Sequence, residues 1–441
     1  MSSLHTHGAL VLWLLLVVVS WSPATQAGQP SMPILARLGK DATTTLYTIT
    51  IKNGGHPLVI DLSNDVYWSR CPPEHRTIPC HSNECQSYND NLPLDTCSMT
   101  RAHKQCSGPK DACPTYPSNP VTGECAITDA TTFTLSAYAT DGANPLFPVT
   151  FMAVGACATQ IVFDAPSLPA DTWGVAAMSR LPESLPSQVA STFKLPNQFA
   201  LCLPRTGATG AAIFGGGPFQ LMMASPQPID LAQQVLRDNQ VPLLKNPGNG
   251  AYYIRVTGIN VNNVPVSLPA GALDLNAGNG DGGVILSTTQ LYVGKAMTYT
   301  TLRSDVYRAL HDAFDAATSG IPRAPAVEPF QLCYQASALG STLLGYAVAN
   351  IDLLLDNGRT WLIPGGSSLV QVDDNTVCFA FVEMTTVTRV SHSSPAVLFG
   401  GYQLEDHLVL FDLDKETFAF SGPLAGIRTT CSNFNFTMGT S

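Results

Sequence analysis

Asp61 closes the apolar run Leu58-Val59-Ile60 and is followed by Leu62-Ser63-Asn64-Asp65 and then by Trp68. A carboxylate at the end of a buried strand, facing a polar loop, is placed for acid–base chemistry. Hydrolysis of a peptide by such a group takes two carboxyls that share one proton. One is ionised and draws a proton from water; the other is protonated and polarises the carbonyl. A second run of the same style, Gly282-Gly283-Val284-Ile285-Leu286, ends in Ser287-Thr288-Thr289. Ser287 stands where the partner acid belongs. A hydroxyl of very high pKa can play neither part. Asp65 and Asp281 are the nearest substitute carboxyls along the chain, and either would need the scaffold to move.

Other chemistries leave weaker marks. Gly278-Asn279-Gly280-Asp281-Gly282-Gly283 fits GxGxxG, but a dinucleotide site needs a strand before and a helix after, and here a strand follows. A hairpin is expected instead. There is no G-x-S-x-G elbow, and the histidines show no triad spacing. Cys80-His81 with Cys85 lacks CxxC spacing, so no metal site is expected. No cofactor is expected either.

The elements that must position Asp61 and Ser287 read mainly as strands. Thr45 to Ile51 alternates polar and apolar residues, and Asn53-Gly54-Gly55 is its turn. Tyr252 to Val256 and Gly258 to Val261 repeat the style, with Asn262-Asn263 as the next turn. Phe379 to Met384 and Leu408 to Leu413 follow suit. Asp305 to Ala317 is the best helix, with Val306, Leu310, Ala313 and Phe314 on one face; Ser187 to Phe193 is a shorter one. The strand-then-loop at Val59–Ser63 is echoed at Ile285–Thr289, which suggests two related lobes. The chain is therefore expected to be mostly β.

The 441 residues suffice for two domains, 12% of them are charged, and the formal charge of −10 argues against nucleic acid as a partner. Ala9 to Val19 is an apolar run too short for a membrane span, with Thr25-Gln26-Ala27 offering a cleavage site. Residues 1–27 are thus expected to be a signal peptide, and the rest a soluble extracellular monomer that does not enter a membrane. Twelve cysteines, eight of them between Cys71 and Cys157, fit a disulfide framework. Asn435-Phe436-Thr437 is a glycosylation acceptor.

Several stretches resemble plant pepsin-fold proteins in order and spacing. They include Gly174-Val175-Ala176-Ala177-Met178, Gln198 to Pro204, Val241 to Pro247, Phe330-Gln331-Leu332-Cys333-Tyr334 and Leu398-Phe399-Gly400-Gly401. Within that group the chain is most similar to the cereal xylanase inhibitors of TAXI type, on its twelve cysteines, Phe214-Gly215-Gly216-Gly217-Pro218 and Ile285-Leu286-Ser287-Thr288. The resemblance implies a bilobal pepsin-like fold with a few short helices. Residues 28–225 would form the N-terminal lobe and 226–441 the C-terminal lobe, each of xylanase-inhibitor type. It makes Asp61 the remnant of the first catalytic Asp, Ser287 the replacement of the second, and Tyr116 the flap residue, stiffened by Pro117 and Pro120. It implies the pairs Cys333–Cys378 and Cys202–Cys431.

In the xylanase-inhibiting members a His shortly before the last Cys enters between the target's two catalytic carboxylates. Counting back from Cys431, the matching residue is Ile427, with Arg428 beside it. The stretch Pro423 to Thr430 should be an exposed loop held by Cys431. The function implied is binding of a secreted microbial glycoside hydrolase, such as a xylanase, in the apoplast or cell wall. An aspartic endopeptidase with a degenerate dyad and a globulin-like wall or seed binding protein are the alternatives.

Overall fold

The computed structural model describes residues 32–72, 74–86, 111–140, 146–163, 168–221, 228–292, 295–384 and 394–434. The expected signal peptide and the acceptor Asn435 lie outside them.

The structure is built from strands with a few short helices, as the patterning requires. Six antiparallel strands run through both lobes in the order Ile34–Lys40, Gly210–Phe214, Gln198–Cys202, Leu408–Asp412, Thr417–Phe420 and Gln240–Leu244. The lobes join where Leu408–Asp412 lies on Gln198–Cys202, with Leu408 opposite Cys202 and Asp412 opposite Gln198. Every residue of Leu408–Asp412 is buried, which explains why its sequence reads as a continuous apolar run. Across that seam Phe199 stacks on Phe411 with ring centroids 4.7 Å apart, and Tyr252 packs on Phe411 at 4.5 Å.

Local chemistry sets the turns. Tyr47–Asn53 pairs with His56–Asp61 through Gly54 and Gly55, whose φ angles of 60° and 95° suit glycine. Asn262 and Asn263 adopt φ of 50° and 63° at the tip of the Val256–Val261 hairpin, the left-handed pair that a two-residue connection demands. The helix Ser304–Ala317 buries Val306, Tyr307, Leu310 and Phe314, and Phe314 stacks on Phe379 at 4.5 Å. The short helix begins at Leu185 rather than Ser187, because Pro186 fits its first turn. One of its side chains does unusual work. Gln188 accepts from the Val154 N–H at 2.7 Å and donates to the Val154 carbonyl at 2.8 Å, closing the outer edge of the strand Phe147–Cys157.

The described cysteines are all bridged. The pairs include Cys71–Cys157, Cys85–Cys113, Cys202–Cys431 and Cys333–Cys378. Cys202–Cys431 fastens the C-terminal segment to a strand of the first lobe.

Few charges enter the interior, and one pair of them is bonded directly. Lys40 Nζ lies 2.6 Å from Glu405 Oε1, and both side chains are buried. The Tyr47 hydroxyl donates to the same oxygen at 2.8 Å. Burial pushes the Glu405 carboxyl up, and Lys40 holds it down. A buried pair of this kind is costly to break, because removal of one partner strands the other charge. Lys40→Met should therefore cost roughly 3–5 kcal/mol in denaturant unfolding. The double variant Lys40→Met/Glu405→Gln, which removes both charges and keeps an acceptor for Tyr47, should recover most of that loss. Equal destabilisation of single and double variants would refute the account.

Candidate functional site

Two strand ends meet at the junction of the lobes. His56–Asp61 runs parallel to Gly174–Ala177, with Asp61 opposite Ala177. In the second lobe Val284–Ser287 runs parallel to Val397–Gly400, with Ser287 opposite Gly400. Asp61 and Ser287 therefore occupy matching places, each the last residue of a strand paired to a parallel neighbour. Both are buried, at 3% and 1% exposure.

The turns after them interlock. Thr288 Oγ1 donates to the Ile60 carbonyl at 2.8 Å and accepts from the Leu62 N–H at 3.3 Å. Thr289 Oγ1 also donates to Ile60, at 3.2 Å. The reciprocal half is missing, because Leu62 carries no hydroxyl and is fully buried. Asp61 Oδ1 instead accepts from the Ser63 N–H at 2.9 Å and from its hydroxyl at 2.8 Å. Burial pushes the Asp61 carboxyl up, and the Ser63 donors offset part of that rise. The Ser287 hydroxyl donates to Thr289 O at 2.7 Å, so its proton is committed within its own turn.

The other acids take different posts. Asp65 is buried beneath the site, and its Oδ1 has no hydrogen-bond partner among the described residues. Burial, reinforced by the nearby Asp61 and Glu183, pushes its carboxyl up to about 7, while the Gly250 N–H and the Ser179 hydroxyl draw it down. A Cβ on Gly250 would stand 2.7 Å from Asp65 Oδ1, so only glycine allows that approach. The same floor is strapped by Tyr252 Oη donating to Met178 O at 2.7 Å and by Arg180 Nη1 donating to Leu244 O at 3.0 Å. Asp281 precedes the strand whose far end carries Ser287, and its Oδ1 accepts from the Ser394 N–H at 2.9 Å. The glycines around it form a turn between Leu275 and Gly282, ahead of a strand.

Tyr116, the expected flap residue, is half-buried. Its hairpin is pinned near the tip, where Asn119 turns back towards Glu124. Trp68 Nε1 donates to Ser118 O at 2.9 Å, Asn64 Nδ2 donates to the same oxygen at 3.2 Å, and Asn119 Nδ2 donates to Val162 O at 3.0 Å. The loop that carries Asp61 and the hairpin over it thus share one anchor.

The C-terminal stretch departs from the open loop expected. Leu424–Ile427 forms one turn of 3-10 helix, and Leu424 is fully buried. Ile427 is half-buried against the cluster of Leu408, Leu410, Cys202 and Cys431. An apolar side chain beside a disulfide finds cover, so it does not project as a finger. Arg428 follows with φ of 56° and is exposed. The exposed Leu343 lies on the neighbouring turn, whose Leu344 side chain reaches Gly426. Among the described residues the only cluster with metal-type donors at ligating distance is Cys71, His75 and Cys157. Its two sulfurs are bonded to each other, so neither is available as a thiolate.

Two lobes that each present a strand end to a shared junction, with a hairpin over it, define a pepsin-like fold. Sequence profiles agree. The xylanase inhibitor N-terminal domain matches residues 47–216, and the xylanase inhibitor C-terminal domain matches residues 251–422. The chain belongs to that family. It is 41% identical over 415 residues to "Chitinase CLP" of Oryza sativa subsp. japonica, covering 92% of both chains. It is 32% identical to "Gamma conglutin 1" of Prunus dulcis over 438 residues, covering 96% of this chain and 94% of the other. Among solved structures it resembles that of edgp, with TM-score 0.78 and 28% identity over 93% of this chain and 98% of that one.

Sequence reading singled out Asp61 and Ser287 but missed the role of Thr288, although its hydroxyl directly after Ser287 was visible. Asp65 could be seen only as a nearby acid, since its partners Gly250 and Ser179 are remote in sequence.

The raised carboxyl of Asp65 makes a pH prediction. An Asp in the unfolded chain titrates near 3.8 and here near 7, so the folded form holds a proton the unfolded form has lost. That contribution is complete below the unfolded value and is lost as pH rises towards the folded one. Urea unfolding from pH 4 to 8 should show Asp65→Asn gaining on wild type as pH rises, by an amount on the order of 2–4 kcal/mol. Parallel stability curves would contradict it.

Proposed function

We propose that this chain is a secreted binding protein of the pepsin fold, without peptidase chemistry, that inhibits a wall-degrading glycoside hydrolase. The observation that carries the reading is the Ser287 hydroxyl. It stands where the second carboxyl would be and is spent on Thr289 O. One carboxylate cannot both activate water and polarise a carbonyl. The pinned hairpin over the site supports the same reading, because a peptide substrate needs a flap that opens. Membership of the xylanase inhibitor family supports a glycosidase as the partner. The disulfide framework suits an extracellular setting.

The docking edge in this reading is the C-terminal turn. Exposed Arg428 supplies the cation, and half-buried Ile427 sets its backbone. A guanidinium suits the paired carboxylates of a glycosidase cleft through a bidentate, charge-assisted contact.

A second reading rests on the rice relative named a chitinase and on the Asp61–Asp65 pair. Burial pushes both carboxyls up, and a carboxyl raised in this way can serve as the general acid on a glycoside. In that reading Asp65 donates the proton.

Two measurements separate these. Purified protein incubated with unfolded haemoglobin between pH 2 and 6 should give no pepstatin-sensitive turnover, and Ser287→Asp alone should not create full activity, since Leu62 still lacks its hydroxyl. Hydrolysis of colloidal chitin that Asp65→Asn abolishes would favour the second reading. Inhibition constants against a panel of microbial xylanases and chitinases should include a target in the micromolar range or below, and Arg428→Ala should weaken it about tenfold, roughly 1.4 kcal/mol. No inhibition of any panel member, or indifference to Arg428, would remove the turn as the docking edge.

A further inference from the structure

The hairpin formed by Thr128–Ala139 and Phe147–Cys157 buries one face, with Phe133, Leu135, Phe151 and Ala153, and turns the other outward. Its register sets Ser136 opposite Thr150 and Thr134 opposite Met152. The outward face thus presents Thr132, Thr134, Ser136 and Tyr138 on one strand, and Thr150 and Met152 on the other, all exposed and none charged. Tyr138 is 47% exposed. A groove of about 730 Å³ runs between this face and Cys71, Pro72, His75 and Arg76, and the Gly54–Gly55 turn also lines it. The loop is fastened in place, with Thr131 Oγ1 donating to Arg76 O at 2.5 Å and the Ile78 N–H donating to Ala130 O at 2.9 Å. None of the residues that line the groove is acidic, and Arg76 and His75 are its basic members.

The ligand that suits this surface must exchange hydrogen bonds with hydroxyls that serve as either donor or acceptor, and carry no charge. On the strand Thr128–Ala139 the hydroxyls of Thr132, Thr134 and Ser136 repeat about 6.8 Å apart, and Thr150 faces Ser136 about 5 Å across. That grid fits a flat, extended, polyhydroxylated chain. An apolar ligand would leave the hydroxyls dry. A polyanion would find little beyond Arg76. Tyr138, next along the same face past the residues that line the groove, offers a ring for a longer chain to lie against.

We propose that this groove binds a neutral polysaccharide chain, at a site on the outer wall of the first lobe and separate from the Asp61 junction. The proposal does not depend on the inhibitor reading.

The test is titration of the mature protein with cellohexaose, xylohexaose and chitohexaose at millimolar concentration, followed by calorimetry or amide NMR shifts, with hexagalacturonate as the charged comparison. At least one neutral oligosaccharide should bind. Its affinity should fall about tenfold in Thr134→Val/Thr150→Val and again in Tyr138→Ala, with unfolding midpoints unchanged. The proposal is overturned if no neutral oligosaccharide binds, if these variants leave affinity intact, or if hexagalacturonate binds more tightly than all three.

Discussion

The carbonyl of Ile60 is buried where the two lobes converge, and a buried carbonyl must be paired. Much else follows from how this chain meets that demand. Thr288 and Thr289 reach across from the other lobe to donate to it, and Thr288 also takes the Leu62 N–H. These bonds hold the two strand ends in register whether or not both carry a carboxyl. The Ser287 hydroxyl finds an acceptor in its own turn, and the Leu62 side chain is sealed in the core. The asymmetry of the junction follows, with one side anchoring through hydroxyls and the other through apolar packing.

Charge is handled in the same spirit. The interior carries few ionisable groups, and several of them join parts distant in sequence. Lys40 and Glu405 link the first strand to a turn near the C-terminus, and Asp406 links that turn to Arg205 at 2.8 Å. His407 is stacked on Trp361 at 4.8 Å with its pKa lowered to about 4 by burial, so it stays neutral there. Asp65 works against these groups. It is held between the lobes in a setting that favours its protonated form, so mild acid, which weakens most paired carboxylates, strengthens this contact. The floor of the junction is thus tuned to acidic surroundings.

Much of the fold was legible because it rests on local rules. The Gly54-Gly55 and Asn262-Asn263 turns, the apolar run of Leu408–Asp412 and the face of the helix at Ser304–Ala317 all follow from conformational preference or periodicity. The matching places of Asp61 and Ser287 were legible because two apolar runs end alike. Three things were not. The Asp65 contacts with Gly250 and Ser179 depend on closure of the two lobes. The pinning of the hairpin through Ser118 uses a backbone carbonyl, which has no signature in residue type. The short helix at Leu424–Ile427 was hidden by Pro423 and Gly426, which read as an open turn, whereas burial of Leu424 and Ile427 beside a disulfide draws the segment in.

Gln188 has a consequence of another kind. A strand edge with unpaired amides invites a strand from a second molecule, and a stack of such additions becomes a fibril. The Phe147–Cys157 strand is long, uncharged on its outward face and free of lysine, the usual guard. The carboxamide of Gln188 offers one acceptor and one donor at the spacing of a peptide group and meets both polar atoms of Val154. It works as a strand one residue long. By completing the ladder at that rung, it stops sheet growth between molecules there without placing a charge on the outward face.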